Sequence, residues 1–165
     1  MIHHLSFAAR EPQRVAEAIA ALWGGEAFPF PPVAQGSWVA IAGDDRGTTI
    51  EVYPAGAELH PAEGDADSFA VMSPEPARHV ATHAAIASPL AAEQIFALAE
   101  REGWLAKYRK RGGIFGVIEF WVENLFLLEV LTPEMQAEYT GFMSPDAWRA
   151  LLAAGPPRPT AAASA

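Results

Sequence analysis

Two stretches of this 165-residue chain follow one grammar, and that repeat limits the fold more than any other feature. Each opens on an alternating segment headed by a histidine. An amphipathic helix and a glycine stop follow, then further alternating segments that end on a glutamate set between aliphatic residues. His4 and Glu51 are 47 residues apart, and His83 and Glu129 are 46 apart. The two glutamates sit in matching contexts, Ile50-Glu51-Val52-Tyr53-Pro54 and Leu128-Glu129-Val130-Leu131-Thr132-Pro133. A period of this kind points to a duplicated βαβββ unit. The first unit takes residues 1–54, a linker 55–80, the second unit 81–134, and a C-terminal helix with a mobile tail 135–165.

The expected elements follow from local pattern. Residues 2–9 read as a strand with Leu5 and Phe7 on one face. Glu11-Pro12 opens a helix whose stripe is Val15, Ile19, Leu22 and Trp23, and Gly24-Gly25 stops it. Phe28-Pro29-Phe30-Pro31-Pro32 reads as a stiff extended connection, and strands are expected over 37–42 and 48–54. In the second unit a strand over 81–87 precedes a helix over 91–104 with Ile95, Phe96 and Leu98 inward. Strands over 105–110, 117–123 and 125–131 follow, with Asn124 turning the last pair and Pro133 ending it. A short helix is expected over 145–152.

Strand residues alternate faces. With Leu5 and Phe7 toward the helix, His4 points away from it, and Glu51 does the same between Ile50 and Val52. His83 is opposed to Ala84 and Ile86, and Glu129 to Leu128 and Val130. All four therefore project from the helix-free faces of their sheets. A glutamate between apolar strand residues is costly to bury unless it is paired or metal-bound. Two imidazoles and two carboxylates without thiolate suit a divalent first-row ion: Zn, Ni, Co, Mn or Fe(II). Four protein donors in an octahedral shell leave two positions for two oxygens of a small molecule.

This pattern resembles the vicinal oxygen chelate superfamily, which includes glyoxalase I, bleomycin-resistance proteins and extradiol dioxygenases. The resemblance covers residues 2 to about 133. It implies an α+β fold of paired βαβββ modules forming a curved mixed sheet around a central cavity. It also implies a metal held by His4, Glu51, His83 and Glu129, and a homodimer. A four-ligand set with Glu51 is similar to glyoxalase I, so lyase or isomerase chemistry ranks ahead of dioxygenase. Ala8 stands where bacterial glyoxalase I carries an arginine for glutathione, which argues against glutathione adducts as substrates. The alternative is a non-catalytic protein of the bleomycin-resistance type that sequesters a small molecule or drug.

Further residues share the expected cavity face. Glu119 is a candidate general base beside Glu129. Trp38, Tyr53, Arg109, Trp121 and Leu127 are candidates to contact the small-molecule substrate. His3, His60 and His79 read as structural or solvent-exposed. Lys107-Tyr108-Arg109-Lys110-Arg111 reads first as a charged edge strand that discourages edge pairing, and second as a steering patch for an anion.

Composition narrows the classes. The net charge is -9, from 11 Lys+Arg against 20 Asp+Glu, which disfavours nucleic acid as a partner. No apolar run reaches membrane-span length, and the absence of cysteine removes thiolate metal sites and a cysteine nucleophile. With no basic leader or apolar signal core before the first strand, a cytoplasmic location is the expectation.

Overall fold

The computed structural model describes residues 2–30, 34–60, 68–75 and 79–154. The expected tail beyond Ala154, the Pro31-Pro32 part of the stiff connection and two pieces of the expected linker, 61–67 and 76–78, lie outside the described residues.

The first module runs β1 (His4–Ala9), α1 (Pro12–Trp23), β2 (Glu26–Pro29), β3 (Trp38–Ile41) and β4 (Thr49–Pro54). Its sheet has the order β1-β4-β3-β2, with β1 and β4 parallel and the other pairs antiparallel. The second module repeats this with β7 (Ala84–Ala87), α2 (Ala92–Glu102), β8 (Leu105–Arg111), β9 (Phe115–Val122) and β10 (Phe126–Leu131), in the order β7-β10-β9-β8. The architecture is α+β with paired βαβββ modules, as the repeat predicts. Both helices stop at a glycine in the left-handed region, Gly24 at φ 68 and Gly103 at φ 71. There a side chain would clash with the following carbonyl.

Between the modules the structure departs from the expected linker. β5 (Ala57–His60) and β6 (Phe69–Met72) pair as an antiparallel hairpin. Ser73 N–H donating to Gly56 O at 2.7 Å closes its base. The Pro-, Gly- and acid-rich composition hides short β-forming runs, Ala57–His60 and Phe69–Met72. Phe28 and Pro29 belong to β2 rather than to a connection, because edge strands tolerate proline. After β10 the chain forms α3 (Pro133–Phe142), which was not expected, and α4 (Pro145–Ala154). Pro133 ends the strand as expected, and it also opens α3 behind the N-cap Thr132.

One apolar core joins the modules. It contains the helix-facing residues of both, including Phe7, Ile19, Leu22, Ile50, Val52, Ile95, Leu98, Phe120, Leu128 and Val130. Phe7 and Phe126 stack across the module boundary with ring centroids 4.0 Å apart. Phe115, Val117 and Leu131 lie on the other face of the second sheet, where the end of α3 covers them through Tyr139, Phe142 and Met143.

Polar ties reinforce the boundary. Arg14 reaches Glu102 at 2.8 Å, and Ser88 Oγ donates to Leu22 O. Glu123 is 6% exposed, so its partners decide whether it is tolerated. Its carboxylate accepts the Arg10 and Glu11 backbone N–H groups at 2.8 and 2.7 Å. These lie at the start of α1, so a carboxylate from the second module caps the helix of the first, where the helix dipole favours negative charge. Glu123→Ala strands two N–H groups in a buried site and should lower stability by about 2 kcal/mol. Urea unfolding checks this. Glu123→Gln, which keeps one acceptor, should lose less.

Candidate functional site

The face of each sheet turned away from α1 or α2 is the other half of the alternation that builds the core. On the first sheet, β1 and β4 place Ser6 beside Glu51 and Ala8 beside Tyr53. His4 is one diagonal step from Glu51 on the same face, at the start of β1. Ser6 Oγ donates to Glu51 Oε2 at 2.8 Å, and Tyr53 OH donates to the same oxygen at 2.6 Å. Glu51 Oε1 takes no hydrogen bond among the described residues.

The second sheet repeats this relation. Ala85 is beside Glu129, and His83 stands two residues ahead of Ala85, just outside β7. So each histidine is two residues before the residue that pairs with its glutamate. His83 Nδ1 lies 2.9 Å from Ala81 O. Glu129 is also directly opposite Glu119, and Leu127 opposite Trp121. Two carboxylates in register, about 5 Å apart at Cβ, repel each other unless neutralised. Arg111 supplies the cation. Its guanidinium reaches Glu129 Oε1 through Nε at 3.0 Å and also through Nη2, and reaches Glu119 Oε1 at 3.0 Å. Glu129 Oε2 takes no hydrogen bond among the described residues.

Sequence reasoning named ten residues on these faces, and the register places nine of them there or, for His83, at the strand's threshold. The exception is Trp38. It pairs with Val52, a helix-facing core residue, while Val39 lies opposite Glu51. Trp38 packs on the common core and lines an open cleft beside α1 with Pro12, Gln13 and Glu17. The alternation within its strand was legible, but its phase is set by pairing with β4. Arg109 is on the face turned away from α2, 3.9 Å from Glu119 Oε2, on the edge strand β8. The basic run forms an edge strand, and its odd-numbered members share the face of Glu119.

Ser6 and Arg111 are the residues that sequence reasoning missed. Parity with His4 was enough to find Ser6. Arg111 shares parity with Arg109, but its reach across the sheet to Glu129 is a tertiary fact. The four candidate ligands do not meet within one chain. Among the described residues no three His, Asp or Glu side chains gather as a metal-binding group. The helix-facing sides share the core, so the two ligand pairs sit on faces turned away from it.

Tyr53 carries the clearest electrostatic mark. Burial, and then its bond to Glu51, push the phenol from 10.0 up to about 12. A raised pKa means that the folded state holds the proton more tightly. The stabilisation is complete below pH 10 and disappears as pH rises toward 12. Ultraviolet titration should show one late-ionising phenol of the three, and stability should fall across that window. Tyr53→Phe should abolish both.

No protein-family model matches the chain, and no curated protein matches it. Solved structures do. The fosfomycin resistance protein FosX of Mesorhizobium loti is 13% identical with a TM-score of 0.50, over 83% of this chain and 94% of that one. The trypanothione-dependent glyoxalase I of Leishmania major is 11% identical at 0.48, over 86% and 92%. A glyoxalase/bleomycin resistance protein/dioxygenase of Alicyclobacillus acidocaldarius is 14% identical at 0.42, over 79% and 89%. At such identities the likeness concerns fold alone, and FosX carries it. With the duplicated βαβββ units, it shows that this chain has the fold of the vicinal oxygen chelate superfamily.

Proposed function

We propose that the chain is a metal-dependent enzyme that binds a small organic molecule through two oxygens, at sites formed between two copies of itself. The observation behind this reading is the repeated half-site. Each module offers one histidine and one glutamate in the same diagonal relation. Each glutamate keeps one oxygen free of hydrogen bonds among the described residues while hydroxyls or a guanidinium orient the other. Metal-binding carboxylates are commonly steadied in this way. The donor set therefore fits a divalent ion, with His4 and Glu51 from one copy and His83 and Glu129 from its partner. A homodimer supplies the geometry that one chain lacks, since its own halves are separated by the core.

A divalent ion in this site would act as a Lewis acid on the two oxygens of the substrate. The chain's residues do the rest. Ser6 and Tyr53 fix the Glu51 carboxylate, and Arg111 fixes that of Glu129 and also contacts Glu119. Glu119, directly opposite Glu129, is placed to take a proton from a carbon next to a bound oxygen. This favours lyase or isomerase chemistry over dioxygenase. Trp121, Leu127, Arg109 and Tyr53 form the walls. No helix of the described residues is long and apolar enough to cross a membrane, and a cytoplasmic setting accords with this reading.

A second reading has an observation of its own. Arg111 neutralises both Glu129 and Glu119 without any metal, as a non-catalytic sequestering protein of the bleomycin-resistance type would permit. Metal analysis separates the two readings. The purified protein should hold divalent metal, and His4→Ala or Glu129→Gln should remove it. A mixing experiment tests the placement between copies. A variant with Glu51→Gln and one with Glu129→Gln, each unable to bind metal, are unfolded and refolded together. Random pairing across a two-fold axis should restore about a quarter of the sites. No recovery would overturn the inter-copy site, and a metal-free, ligand-binding wild type would favour sequestration.

A further inference from the structure

The face of the second sheet turned away from α2, part of which the end of α3 covers over Phe115, Val117 and Leu131, can be laid out as a grid from its register. One row runs across the strands as Ala85, Glu129, Glu119 and Lys107. The next, continuing the same pairing, runs from His83 through Leu127 and Trp121 to Leu105. The first row is charged and the second is apolar, with a candidate metal ligand at the β7–β10 side of each. Leu127 and Trp121 are half-buried and Leu105 is 43% exposed, so this strip is open to a ligand.

Charge on this face is uneven. Arg111 is taken up by Glu129 and Glu119. Arg109 lies 3.9 Å from Glu119 and donates to its neighbour's backbone, Tyr108 O. Lys107 makes no ion pair or side-chain hydrogen bond among the described residues. Three cations thus face two carboxylates, which leaves a local positive excess in a chain of net charge -9. The unspent cation stands on β8 opposite Glu119, one row from Leu105 at the end of the apolar strip, and across the sheet from the metal ligands. Two strand spacings separate β10 from β8, about 10 Å.

We propose that this face takes an elongated organic acid. Its two chelating oxygens lie at the His83 and Glu129 end, its apolar body crosses Leu127 and Trp121, and its anionic terminus sits on Lys107. The proposal rests on the metal-site reading above and deepens it by naming the substrate class. Lys107 is a specificity residue here and takes no part in the chemistry. Its even-numbered neighbour Lys110 points to the opposite face, where it pairs with Glu138, and so serves as a control with the same charge on the same strand.

The test uses zinc-loaded, full-length protein titrated calorimetrically with unbranched α,ω-dicarboxylates of increasing length and the matching monocarboxylates. Affinity should peak for dicarboxylates spanning about 10 Å. At that length the second carboxylate should improve binding about tenfold, and by less for shorter chains. Lys107→Gln should erase the margin, Lys107→Arg should restore it, and Lys110→Gln should leave it intact. Circular dichroism melting confirms that each variant is folded. A margin independent of chain length, or equal losses in Lys107→Gln and Lys110→Gln, would overturn the proposal. If the protein binds no metal and the Lys107 margin persists, the metal reading fails and the acid subsite stands. If metal binds and the margin is absent, the subsite fails and the metal reading stands.

Discussion

Everything on the surface of this protein follows from one apolar contact, the common core in which the helix-facing residues of both modules meet. Phe7 stacking on Phe126, with Val52, Ile50, Leu128 and Val130 around them, fixes which way each strand faces. Because strand residues alternate, every residue committed to that core sends its neighbours to the opposite side. Glu51 is sent out by Ile50 and Val52, and Glu129 by Leu128 and Val130. The candidate chemistry is thus the complement of the packing.

The same core separates the two halves of the site. A chain that buries its helix-facing sides together cannot also fold its ligand-bearing faces onto each other. Cross-module ties such as Glu123 on the start of α1, Arg14 to Glu102, and Ser88 to Leu22 hold that arrangement. The functional proposal accordingly requires a second copy, for a reason of packing.

The second sheet carries the denser electrostatics. Glu119 and Glu129 stand in register, where like charges directly opposite each other repel at close range. Arg111 bridges them from an edge strand, which costs side-chain entropy but removes the conflict. The first sheet meets the same need with neutral donors, the hydroxyls of Ser6 and Tyr53 on Glu51. The modules are alike in backbone and differ in how each carboxylate is held, as expected for a duplication whose halves have diverged.

How much was legible in advance varies by feature. The period, the helix stops at Gly24 and Gly103, and the faces of His4, Glu51, Tyr53, Glu119, Trp121, Leu127 and Glu129 follow from alternation and spacing, which are local properties of the chain. The face of Trp38, the β5–β6 hairpin, α3 and the reach of Arg111 were not legible. Trp38 takes its phase from pairing with β4, a contact between residues distant along the chain. The hairpin is written in two four-residue runs within polar sequence, Ala57–His60 with two apolar residues and Phe69–Met72 wholly apolar. Arg111 acts on a strand two places away in the sheet. By itself the sequence determined, Trp38 apart, which of the candidate residues face away from α1 and α2, because burial and alternation are short-range. Only the tertiary structure decided which of those residues touch and which stay apart, because register and module packing are long-range choices among faces that local pattern leaves equivalent.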